Sequence, residues 1–88
     1  MIDFRELTEQ VRKVLLQQWD PIGVADEPAA QDEYDSYALA IARLVMDGEP
    51  ADAIARRLLS IERERMELPG NESVASRAAV SLIALIER

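Results

Sequence analysis

The chain has no cysteine and no histidine among its 88 residues. Without cysteine there is no disulfide and no thiolate chemistry. Without histidine the commonest general base and the commonest transition-metal ligand are both missing. Lysine is nearly absent as well. Lys13 stands alone beside nine arginines, and no glycine-rich loop accompanies it, so a phosphate-cradling loop or a Schiff-base lysine has no support. Glycine occurs three times and runs of β-branched residues do not occur, which argues against strands. Aromatics are limited to Phe4, Trp19, Tyr34 and Tyr37. The core must therefore be aliphatic and alanine-rich, a composition that suits closely packed helices. No apolar run approaches the length of a transmembrane helix. The amphipathic start, MIDFRELTEQ, does not read as a signal peptide, so the expected location is the cytoplasm.

Positive charge is the other shortage. Seventeen acidic residues against ten basic ones give a formal charge of -7. A phosphate backbone needs a basic face, so nucleic acid is disfavoured as a partner. An anionic membrane surface is disfavoured for the same reason. A basic protein is the partner that this charge suits.

Hydrophobic spacing predicts four helices in one domain spanning residues 1–88. Phe4, Leu7, Val11, Val14, Leu15 and Trp19 recur every three or four positions, which predicts an α-helix over 3–19. Asp3 suits its N-cap, with Glu6 three residues on. The pair Asp20-Pro21 ends it, because a residue before proline is pushed out of the α region. Residues 20–31 read as a loop whose Ile22 and Val24 should fold it back onto the bundle. A second helix is expected over 32–47, with Tyr34, Ala38, Ile41 and Val45 inward and Gly48 as its stop. A third should begin at Pro50 and end by Met66, with Ile54, Ala55, Leu58 and Ile61 inward. Leu68-Pro69-Gly70 reads as a turn. A fourth is expected over 72–87, capped by Asn71, with Ala75, Ala78, Ala79, Leu82, Leu85 and Ile86 on one broad face. Val80 and Ile83 lie off that face. Such a helix is either central in the bundle, which is the expectation here, or partly exposed for a partner. The short connections imply a compact all-α four-helix bundle.

The candidate site is the acidic connector. Residues 19–35 read WDPIGVADEPAAQDEYD, with six carboxylates and no cation. Asp20, Asp26, Glu27, Asp32, Glu33 and Asp35 would steer a basic partner, while Tyr34 and Tyr37 would supply contact area. Both tyrosines are expected to pack their rings and leave their hydroxyls at the surface. Three alternatives stand beside docking. The acids of the first turn could serve the helix dipole alone. The cluster could bind a divalent metal, but its spacing lacks the alternation and central glycine of an EF-hand, so no metal and no cofactor is expected. Paired carboxylates could act as acid and base, but a chain of this size rarely forms the cleft that glycosidic chemistry needs. Trp19 reads as a core residue with its indole N–H near the loop, the alternative being an exposed aromatic anchor. Arg56, Arg57, Arg63 and Arg65, interleaved with Glu62, Glu64 and Glu67, read as a mixed solvated face, the alternative being an anion site.

The strings WDPIGV at 19–24 and DEYDSY at 32–37, followed by Leu44, Gly48, Ile54, Leu58 and Met66, carry a resemblance. Over residues 8–86 the chain resembles a small bacterial helical domain of unknown function with a Trp-Asp-Pro loop and a Glu-Tyr-Asp helix start. The resemblance implies a small helical fold and a bacterial origin. Some small acidic bacterial proteins of similar appearance are immunity proteins or other inhibitors. The acidic connector and its flanking tyrosines set the expected function, non-catalytic protein binding of an inhibitor or immunity type. The alternative is a structural or regulatory homodimer through the apolar face of the fourth helix, with Leu16 contributing from the first; the chain is expected to be a monomer or a weak homodimer.

Overall fold

The computed structural model describes residues 3–20 and 32–86. They form four helices with no strand among them. Helix α1 spans Phe4–Val14 and continues as a π-helical turn, Leu15–Trp19. Helices α2, α3 and α4 span Asp32–Met46, Ala51–Glu64 and Glu72–Ala84. Helix α1 packs on α2, α3 packs on α4, and the π turn joins the pairs by lying against α4. The radius of gyration of 11.9 Å matches the roughly 12 Å expected of a compact chain this long. No described helix is long and apolar enough to cross a membrane.

Local chemistry accounts for the helix ends. The Asp3 carboxylate accepts the Glu6 N–H at 2.8 Å, and Asn71 Oδ1 accepts the Val74 N–H at 3.1 Å. Both satisfy donors that have no partner inside the helix. Pro50 is the N-cap of α3 rather than its first helical residue. Helix α2 ends in a Schellman motif. There the Glu49 N–H reaches Leu44 O and the Gly48 N–H reaches Val45 O, both at 3.1 Å. Gly48 takes φ +80°, a conformation costly for other residues.

The first helix departs from the expected α-helix in its last turn. The Asp20 N–H bonds Leu15 O, five residues back, at 2.7 Å. This wider turn still buries both Leu15 and Trp19. Pro21, which has no N–H, cannot continue the ladder.

The core joins Leu7, Val11, Leu15 and Trp19 to Tyr34, Ala38, Ile41, Ala42 and Val45. Ile54, Leu58, Leu59 and Ile61 of α3 and Ala75, Ala78, Ala79 and Leu82 of α4 complete it. The alanines of α4 let its backbone approach its neighbours closely. That narrow stripe leaves part of the helix uncovered, so the expected central position does not hold. Val80 is 62% exposed, and Ile83 is only half-buried. Ile86, expected on the inner face, lies beyond the last helical residue and is exposed.

Candidate functional site

The acidic connector runs from Asp20, after the π turn, to the start of α2; residues 21–31 lie outside the described residues, and with them the expected folding back of Ile22 and Val24. Three aromatic rings meet between the π turn and α2. The Trp19 and Tyr34 centroids lie 5.6 Å apart, Trp19 and Tyr37 lie 6.2 Å apart and edge-on, and Tyr34 and Tyr37 lie 5.7 Å apart. Tilted and edge-on pairs at these separations are favourable contacts between ring quadrupoles. The Tyr34 O–H donates to Asp20 Oδ1 at 3.0 Å. One bond therefore ties the start of α2 to the end of the π turn. Four residues on from Asp20 the sequence reaches Val24, and Asp26 and Glu27 lie outside the described residues. Asp32 and Glu33 occupy the first turn of α2, at the positive end of its dipole.

Tyr34 itself has no exposed surface. The expected surface hydroxyl is instead taken up in the fold, where Asp20 at the end of the π turn accepts it. Tyr37 is half-buried. Asp35 is exposed and accepts the Arg12 Nε–H of α1 at 2.8 Å. Arg12 also stands 3.8 Å from Glu9. The structure thus brings Asp20, Tyr34 and Tyr37 together around Trp19, and sets Asp35 beside them on the surface against Arg12.

Arg12 and Asp35 also line a shallow groove of about 660 Å³ between α1 and α2. Its apolar floor includes Phe4, Ala38 and the exposed Leu39. Arg43 stacks over the Phe4 ring nearby, 5.5 Å from its centroid.

Sequence reasoning missed Glu62. It was expected on the solvated face of α3 among the arginines, yet it is 3% exposed, the one buried charged side chain among the described residues. The Trp19 indole N–H donates to its Oε2 at 3.0 Å. The Asn71 backbone N–H donates to its Oε1 at 3.2 Å. The indole N–H therefore bonds across the bundle to α3; the loop it was expected to lie near falls outside the described residues. Trp19 is buried as expected, so it is no exposed anchor. Position was the available signal: Glu62 follows the inward Leu58 by four residues, one helical turn. Its charge argued the other way.

Around Glu62 the connection between α3 and α4 closes tightly. Glu67 takes φ +54° and Gly70 takes φ +91°. A Cβ on Gly70 would come within 2.9 Å of Arg63 Nε. That Nε–H donates to Pro69 O at 3.1 Å. Arg63 thus braces the turn through one of its five N–H donors. Among the described residues no three acids gather as a metal site would require.

No family model matches the chain, and neither a curated protein nor a solved structure matches it.

Proposed function

We propose that this chain is a non-catalytic protein-binding module, an inhibitor or immunity-type protein of the bacterial cytoplasm, which docks a basic protein through its acidic connector. One observation carries this reading. The connector holds six carboxylates and no cation, and the Tyr34–Asp20 bond with the aromatic trio fixes where it begins and ends. Anchored ends lower the ordering cost that a free acidic tail would incur on binding. The surface offered is Asp26 and Glu27, the first turn of α2 with Asp32, Glu33 and Asp35, and the half-buried Tyr37. Asp20 and Tyr34 hold that surface in place from within.

The test is kinetic. A protein captured by the wild-type chain is measured against wild type and against Asp26→Lys with Glu27→Lys, at low and high salt. Steering by exposed charge acts on association. The double reversal should slow association by roughly tenfold or more at low salt and flatten its salt dependence. Unchanged rates at low salt would remove the connector as the docking surface.

A second reading has its own observation. Val80 projects from α4 beside a groove of about 440 Å³ lined by Ala51, Ile83 and Ala84. A homodimer would cover it, since one patch can pair with itself about a two-fold axis. Light scattering behind size-exclusion chromatography decides this reading: a dimer at micromolar concentration, lost in Val80→Asp, supports it.

A further inference from the structure

Glu62 is enclosed, yet both of its partners are neutral. The Trp19 indole and the Asn71 amide use one position on each oxygen. A carboxylate offers about four acceptor positions, so two remain. A buried charge without a counter-charge is costly, and chains normally pair it. Cations are close at hand in sequence, but none is used here. Arg63 donates to Pro69 O. The ion pairs among the described residues both belong to Arg12, on a different helix. The start of α4 offsets part of the cost through its dipole and the Asn71 N–H.

Glu62 also lines a cavity of about 270 Å³. Trp19, Leu68, Pro69 and Val74 give it an indole wall and apolar sides. An indole, a carboxylate and an apolar flank together fit one protein side chain better than others. Arginine carries a planar, weakly hydrated cation that both stacks on aromatic faces and forks onto carboxylates. Its methylene stem suits an apolar passage. Lysine is more strongly hydrated and makes no planar contact. A divalent ion would find a single carboxylate, short of its oxygen requirement.

We infer that this cavity receives an arginine side chain of a partner protein, with the guanidinium on the open positions of Glu62 and against the Trp19 ring. The inference rests on the protein-binding reading but not on the connector being its surface.

Trp19 is the chain's single tryptophan, so its indole N–H gives one resonance in a proton–nitrogen correlation spectrum. That resonance is titrated with N-acetyl-arginine amide. The neutral isostere N-acetyl-citrulline amide and magnesium chloride serve as the comparison probes. A saturable shift is expected with the arginine compound, with affinity roughly tenfold weaker for citrulline and for Glu62→Gln, the scale of a charge-assisted bond. Val74→Phe narrows the cavity while leaving both bonds of Glu62 intact. It should abolish the response with an unchanged circular dichroism spectrum, and it serves alone if Glu62→Gln does not fold. Asp26→Lys with Glu27→Lys should leave the response in place, which separates this site from the connector. No saturable shift, an equal response to citrulline or magnesium, or a full response in folded Glu62→Gln or in Val74→Phe would overturn the inference.

Discussion

Replacing Glu62 by alanine tests the buried network at its centre. The change removes the acceptor of the Trp19 indole N–H and of the Asn71 N–H. These two donors do not suffer equally. Trp19 is 5% exposed, so its N–H is left without a partner, at about 1–3 kcal/mol. Asn71 is an exposed residue whose amide can turn to water, so its loss is smaller, roughly 0.5–1.5 kcal/mol. Removing the charge also removes its desolvation cost, which offsets part of the loss. The net expectation is a destabilisation of about 2–3 kcal/mol. Against the roughly 4–13 kcal/mol typical of a domain this size, that is a large fraction.

Urea denaturation followed by far-ultraviolet circular dichroism reads the effect. With a slope of about 1 kcal/mol per molar, the midpoint should fall by roughly 2 M or more at unchanged slope. Glu62→Gln should lie between wild type and Glu62→Ala. Its one amide oxygen can serve one donor, while its NH₂ faces the other. A double-mutant cycle with Trp19→Phe isolates the indole bond, with a coupling of about 1–2 kcal/mol expected. A Glu62→Ala protein within about 0.5 kcal/mol of wild type, or a cycle with no coupling, would refute the idea that this carboxylate joins α3 to the π turn.

Tyr34→Phe keeps the ring and deletes its donation to Asp20; thermal melts should show a loss of about 1 kcal/mol. Gly70→Ala places a Cβ against Arg63 at φ +91° and should cost about 1–2 kcal/mol by urea titration. Glu67→Gly relieves a left-handed residue and should be neutral or stabilising by up to about 1 kcal/mol in the same assay. Val80→Asp alters a residue that is 62% exposed, so circular dichroism should show a folded chain with a stability change within about 0.5 kcal/mol.

The fold was legible because apolar spacing and end signals agreed. Phe4 through Trp19 recur at helical intervals, Asp3 and Asn71 cap as their side chains allow, and Gly48 stops α2. Spacing cannot register the widening of the last turn of the first helix, because three- and four-residue intervals survive it. Nor can it tell how wide a stripe the neighbours cover. The face of α4 is apolar beyond the part its neighbours reach, so Val80 reads as core and stands in solvent. Tyr34 and Glu62 fail for a shared reason. Each carries a polar group whose burial depends on a partner distant in sequence, Asp20 in one case and Trp19 in the other. Residue type predicts exposure when no partner is known, and a partner 43 residues away leaves no local trace.

The relative strengths of these contacts decide what can move at the connector. Among the described residues, two kinds of interaction meet where α2 begins. Arg12–Asp35 is an exposed pair, with Asp35 57% exposed, and such pairs contribute about 0–1 kcal/mol. The aromatic trio and the Tyr34–Asp20 bond are less exposed, with Trp19 and Tyr34 buried and Tyr37 and Asp20 half-buried; each ring pair adds about 0.5–1.5 kcal/mol beyond the area it buries. The more buried contacts therefore fix the geometry, and the surface pair can be exchanged at little cost. Asp35→Ala should accordingly leave the melting temperature within a few degrees of wild type, since about 1 kcal/mol shifts it by roughly 4–8 °C in a chain of this length. Trp19→Ala should unfold the chain or lower it far more, because it removes a ring from two aromatic pairs and the donor to Glu62 together, on top of about 3–5 kcal/mol for emptying the core site. If Asp35→Ala instead proves as damaging as Trp19→Ala, the surface pair sets the start of α2, and the ordering of buried over exposed contacts at this site is wrong.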